Sequence, residues 1–321
     1  MDTKQHFHWP IHCPLVMRIL HFFHNRNALF VLAFCTGLLI GDAASPLEPL
    51  IVPALILALT FSITIVPNHA FRFRRKLFAS TLAGVFLNYI LLTGFLLGCS
   101  IFFSSAPSVQ AGLVILAAAP PAVAVIPFTE FLKGDLTYSL LATIGTYLAA
   151  LLLLPFVTLT FTGVETLDLG RLLRVTAQLI LLPILASRLL VFVRLDSILR
   201  PVRGKLVNWC FFLVIMTLVG INRPYMESNL PLLMPLIVVC LGATFGLGIL
   251  ISTVCDRFEV NPRRRVSMML LGTLKNAGFA GGMALTLVDA RAALPAVVFT
   301  ACMIPFIIAQ GYSKKSIAAA R

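Results

Sequence analysis

The chain has 321 residues, 59% of them hydrophobic and 12% charged, with a formal net charge of +13. That balance belongs to a polytopic membrane protein and excludes a soluble single domain. The seven cysteines are odd in number, fall mostly inside apolar stretches and form no CxxC, so neither a disulfide framework nor a metal site is expected.

Residues 1–27 read as a cytoplasmic or interfacial segment. It holds five of the six histidines (His6, His8, His12, His21 and His24) with Arg18 and Arg26. No A-x-A site follows a short apolar core, so no cleavable signal peptide is expected. An aromatic segment lying in the membrane interface is the expected role, with a metal-binding arm as the alternative.

Hydropathy then gives ten spans, roughly 28–41, 51–70, 77–103, 109–132, 136–162, 172–193, 205–221, 231–254, 266–288 and 292–312, before a tail at 313–321. Of the 25 basic residues, 19 fall in one alternating set of segments and 4 in the other, with Arg188 and Lys275 inside spans. Both termini are therefore expected to be cytoplasmic, in an integral protein of a bacterial inner membrane. A basic face against anionic lipid accounts for the net charge and leaves nucleic-acid binding without support. There is no Walker A loop and no GxGxxG after a strand, so an ATP-driven pump is not expected.

Ten spans with like-sided termini divide into five plus five, here 28–163 and 164–312. The second half then enters the membrane in the opposite sense, as in many secondary transporters. The fourth and ninth spans correspond, and each is interrupted. The fourth carries Ala119-Pro120-Pro121-Ala122 and Pro127; the ninth carries Asn276 with Gly278, Gly281 and Gly282. Proline removes a backbone donor and disfavours helix in the preceding residue, although small residues in membrane helices also serve packing. The expected fold is all-α, with ten transmembrane helices in an inverted repeat and discontinuous helices four and nine crossing.

Lys275 lies about ten residues past Arg263, Arg264 and Arg265, hence roughly 15 Å along a helix, near the midplane of a ~30 Å hydrocarbon core. A side chain reaching about 6 Å does not snorkel from there. A charge at that depth is by default functional. Glu130, three residues before Lys133, reads as an interfacial partner for a nearby base, or as a proton-relay carboxylate. Ser139 and Thr143 are one turn apart on a helix face and serve either a site or their own backbone. Asn88 is a site residue or packing glue, and Arg188 is expected to snorkel.

Pro120 followed by Phe131-Leu132-Lys133-Gly134-Asp135, then Ser139, Thr143 and Pro155, resembles the bile acid:sodium symporter family. Its fourth span reads approximately P-G-G-x-x-S-N-x-x-T-x-L-A-x-G-D, followed by S-x-x-x-T. Asn88-Tyr89 with Leu92 is similar to that family's Q-F-x-x-M-P, and Leu271-x-x-x-Lys275-Asn276 falls where it has E-x-x-x-Q-N. With ten matching spans the resemblance covers nearly the whole chain. It implies a core domain of crossed broken helices beside a panel domain, carrying organic anions with sodium. The departures sit where that family binds sodium: Ile126 for its asparagine, Leu271 for its glutamate and Lys275 for its glutamine. Only Ser139, Thr143 and Asn88 keep oxygens there, so sodium coupling is not expected.

Helix carbonyl ends favour cations and amide ends favour anions. Lys275 is therefore expected to put its ammonium where a sodium ion would sit. The amide ends around Pro121, Ala122 and Val123, and around Asn276, Ala277 and Gly278, then remain for a carboxylate. A permanently charged Lys275 gives sodium-independent facilitation or exchange; one that releases a proton in each cycle gives proton coupling. The expected partners are a small organic anion and the bilayer, with no cofactor, no nucleic acid and the oligomeric state open. No nucleophile–base pair and no histidine lies deep in a span, so an enzyme is not expected. A sodium-coupled symporter and a transport-dead sensor or assembly protein remain the alternatives. A cation/proton antiporter lacks its carboxylate at the crossing, and the related arsenite-exporter branch would have a cysteine where Pro121 stands.

Overall fold

A computed structural model describes residues 26–66, 75–162 and 168–319. The histidine-rich segment, with the metal-arm alternative, lies outside the described residues. Helix dominates because lipid offers no partner for backbone amides and carbonyls, so each segment must satisfy its own. Among the described residues, seven helical stretches are long and apolar enough to cross a membrane, and Pro107–Ala118 and Ala277–Leu287 are shorter apolar helices.

In chain order, α1 (Arg26–Ile40) runs through a 3-10 stretch at Gly41–Leu50 into α2 (Ile51–Ile63). Gly41 turns that junction at φ +58°, a conformation that favours glycine. α3 (Arg75–Val85) passes through a π-helical turn, Phe86–Leu92, into α4 (Thr93–Ser100). α5 (Pro107–Ala118) and α6 (Val125–Phe131) are halves of one broken helix, followed by α7 (Leu136–Phe161). α8 (Leu169–Thr176) joins α9 (Leu182–Phe192) through a second π turn, and α10 (Leu195–Ser228) follows. α11 (Leu230–Leu241) joins α12 (Leu247–Arg257) through a third π turn, Gly242–Gly246. α13 (Pro262–Thr273) and α14 (Ala277–Leu287) form the second broken helix, and α15 (Leu294–Ala319) closes the chain.

Two packed groups result. α1, α2, α9 and α10 lie against one another; α3 to α8 and α11 to α15 build the rest around the two broken helices. The groups meet where α14 and α15 face α2 and α10. Gly281 and Gly282 sit on that contact. A Cβ on Gly281 would stand 2.6 Å from a Leu218 methyl, and one on Gly282 2.6 Å from a Leu55 methyl.

Several expectations need correction. The seventh span, expected at 205–221, is the 34-residue α10, because the charged stretch Arg200–Lys205 continues the helix. The break in the ninth span is confined to Leu274, Lys275 and Asn276; Gly278, Gly281 and Gly282 are helical and serve close packing. Pro127 lies inside the first turn of α6, where its missing donor has no intrahelical partner to lose. Arg188 donates to the Val66 and Ile63 carbonyls at the end of α2, both at 2.8 Å.

Candidate transport site

The two breaks cross and pair. Ala122 N–H donates to the Leu274 carbonyl (3.1 Å), and Asn276 N–H donates to the Pro120 carbonyl (2.9 Å). Pro121 and Lys275 thus face each other in an isolated antiparallel bridge. Each break leaves the last carbonyls of one half-helix without amide partners, deep in the protein.

The π turn of the third span supplies those partners. A π turn brings residues five apart together, and the Thr93 hydroxyl lies 3.0 Å from the Asn88 carbonyl. Asn88, Tyr89 and Thr93 therefore converge on the crossing. Thr93 Oγ1 is 2.6 Å from the Ala117 carbonyl, and Tyr89 OH donates to the Ala118 carbonyl at 3.1 Å. Asn88 Nδ2 donates to the Leu271 carbonyl at 3.0 Å, at the end of α13.

The next carbonyl, Ala119, is taken by Lys275. Its Nζ donates to Ala119 O (2.8 Å), Asn88 Oδ1 (2.8 Å) and Thr93 Oγ1 (3.0 Å). The same nitrogen stands 4.7 Å from the centre of the Tyr89 ring, a cation–π distance. Lys275 is 0% exposed. An ammonium has three donors and no acceptor, and each donor here finds an oxygen. A neutral amine would instead turn a lone pair toward one of those oxygens.

Beyond Lys275 the polarity reverses. Asn276 caps α14: its Oδ1 accepts from Phe279 N–H at 3.2 Å, and its Nδ2 donates to Tyr147 OH at 2.8 Å. Ala277 and Gly278, with Ala122 and Val123, line a cavity of ≈ 30 Å³ together with Lys275 and Asn276. Amide ends of helices thus border the space beside a saturated ammonium.

The remaining sequence candidates lie apart from this cluster. Ser139 pairs with Thr129 at 2.8 Å, and Thr129 bonds back to the Val125 carbonyl, which ties α7 to α6. Thr143 is buried, and its hydroxyl has no hydrogen-bond partner among the described residues. Ile126 is 7% exposed and lines an apolar cavity of ≈ 30 Å³ with Thr143 and Tyr147. Leu271 is fully buried and contributes only its carbonyl. Glu130 is exposed on α6 and does not join the crossing. The Lys133-Gly134-Asp135 block is a turn and a cap: Lys133 has φ +50°, Gly134 N–H bonds the Thr129 carbonyl, and Asp135 caps α7 at Tyr138 N–H.

A model of the Sodium Bile acid symporter family matches residues 52–229, more than half of the chain. The chain belongs to that family. No curated protein matches it. As a symporter-family member it is a membrane transporter of organic anions, from a family of transporters rather than enzymes. The matched stretch contains the first break, Asn88, Ser139 and Thr143, and it ends before the second break. What ties Lys275 to the matched region is its bonding to Asn88, Thr93 and Ala119.

Sequence reasoning missed Thr93 and Tyr147 and gave Tyr89 no role. Thr93 is five residues from Asn88, a spacing that α-helical periodicity places on different faces. Tyr147 was within reach: it is one turn beyond Thr143, a polar tip in an apolar run.

Proposed function

We propose that this symporter-family protein carries a small carboxylate-type anion without sodium, and that the ammonium of Lys275 stands permanently where the family's ion would bind. The observation that carries this reading is the saturation of the ammonium by Asn88 Oδ1, Thr93 Oγ1 and the Ala119 carbonyl. A fixed cation neutralises the carbonyl ends of α5 and α13 throughout the cycle, so no ion need be dehydrated in each turnover. The amides of Val123 and Gly278, which are not spent on the crossing as those of Ala122, Asn276 and Ala277 are, then hold the substrate carboxylate, with the second proton of the Asn276 side-chain amide as a further donor. Because all three donors of Lys275 are engaged, transport proceeds by facilitation or exchange, with no proton moved.

We place this site in ten spans arranged as two inverted halves, 28–163 and 164–312, with both termini cytoplasmic. Two matched features support that plan: breaks in the fourth and ninth spans, and π turns in the third (Phe86–Leu92) and eighth (Gly242–Gly246). Initial uptake rates in proteoliposomes test the reading, with sodium replaced by choline and the pH gradient set independently. The expected rates are the same in all four conditions. A rate that disappears without sodium restores the sodium-coupled alternative, and no flux of any organic anion restores the sensor.

A further inference from the structure

The group formed by α1, α2, α9 and α10 presents a cation to the substrate route that the reading above leaves unused. A cavity of ≈ 240 Å³ lies between α2, α6 and α10, walled by Val123, Ile126 and Pro127 on one side and by Ser62, Arg203 and Asn208 on the other. Val123 also lines the cavity that contains Lys275, Asn276, Ala277 and Gly278, so this space borders the crossing itself. Ser62, Val123 and Ile126 further border the apolar cavity under Ile144, Tyr147 and Ile184.

Lys275, Arg188 and Arg203 stand near this region, and their donors differ in availability. Lys275 has all three engaged. Arg188 is committed to the Ile63 and Val66 carbonyls. Arg203 makes one hydrogen bond among the described residues, a long one of 3.3 Å from NH1 to Thr64 Oγ1. A guanidinium has five N–H donors in a planar fork that matches a carboxylate, so among the described residues most of its capacity is spent on no hydrogen bond, with Asp196 its acidic neighbour along α10. Asn208, five residues on, adds an amide to the same wall. The opposite walls are aliphatic.

We propose that Arg203, with Asn208, is the carboxylate-recognition residue of an entrance subsite that takes an amphipathic monocarboxylate. The acid group sits at Arg203 and the apolar body lies toward Ile126, Ile144 and Ile184, before the carboxylate passes to the amide ends at the crossing. This deepens the organic-anion reading and rests on it.

The test uses the full chain in proteoliposomes and in detergent. The ligands are hexanoate, cyclohexanecarboxylate and 4-phenylbutyrate, each beside its neutral carboxamide. At least one acid is expected to stabilise the wild type thermally and to be transported, while its carboxamide does neither. Arg203→Gln should raise the half-saturation concentration about tenfold, as loss of one charge-assisted bond does, with little change in maximal rate. Arg203→Lys should recover part of that affinity, since the charge returns without the fork. Thr64→Val, which removes the Arg203–Thr64 bond and keeps the charge, should behave as wild type.

The proposal is overturned if Arg203→Gln retains wild-type half-saturation, or if Thr64→Val shifts it equally. It is also overturned if the carboxamides bind as well as the acids, or if none of the acids binds. Loss of wild-type flux on removing sodium would sink the tethered-cation reading and leave the Arg203 result standing, so the two failures are separable.

Discussion

Under the proposed function, the two places where the sequence resemblance puts sodium ligands are remade in opposite ways. At the crossing, a cation persists as part of the chain: Lys275 is bonded to three oxygens and faces the Tyr89 ring. Around Thr143, the cation's surroundings have become aliphatic: Ile126 and Ile144 line the cavity, and a hydroxyl remains without a partner among the described residues. The difference follows from what each place must neutralise. The first holds the carbonyl ends of two half-helices, which cannot be removed without losing the breaks. The second was built from side chains, and side chains can be exchanged. Where backbone creates the negative potential, a positive charge has to remain.

That contrast is broken most severely by Lys275→Met, which leaves the Ala119 carbonyl and Asn88 Oδ1 without their donor. Transport should fall by at least about a hundredfold, because two charge-assisted bonds are lost, each worth about 1.5–3 kcal/mol, and tenfold is about 1.4 kcal/mol. Retained flux would show that the ammonium is only a packing feature.

Asn88→Leu comes next. It removes an acceptor from Lys275 and a donor from the Leu271 carbonyl together, so thermal unfolding in detergent should show a loss of about 1–3 kcal/mol. Asn276→Ala removes the cap of α14 and should cost about 1 kcal/mol. Asn276→Asp keeps the cap acceptor but sets a negative charge where the substrate carboxylate binds. Stability should hold while uptake falls, and equal losses of both would move Asn276 from substrate binding to structure.

Thr143→Val is the smallest change. It replaces an unpartnered buried hydroxyl with a methyl of similar shape, so stability should stay within about 0.5 kcal/mol or rise, with uptake unchanged. A large loss of uptake would mean that the second place still serves an ion.

The apolar spans, the broken helix around Pro120–Pro121 and the burial of Lys275 were legible because hydropathy, proline and charge are local signals. That Lys275 faces a helix carbonyl end was legible too, from its place at the break. Its ligands were only partly so. Asn88 could be named, but Thr93 joins it through a π turn, and nothing in Phe86–Leu92 announces an extra residue per turn. Ser139 was read as serving either a site or its own backbone; it turns instead toward Thr129, a tertiary choice that spacing does not encode. The glycines of α14 were taken for a break when their use is to let Leu55 and Leu218 approach, a partner that lies over sixty residues away in sequence.

The claim that Lys275 replaces the ion is tested most directly by sodium titration of uptake. Initial rates of the transported monocarboxylate would be followed from sodium-free choline medium upward, in wild-type proteoliposomes with the pH gradient collapsed. A flat response is expected, at the rate seen in full sodium. A rate that starts at background and saturates with sodium would contradict it.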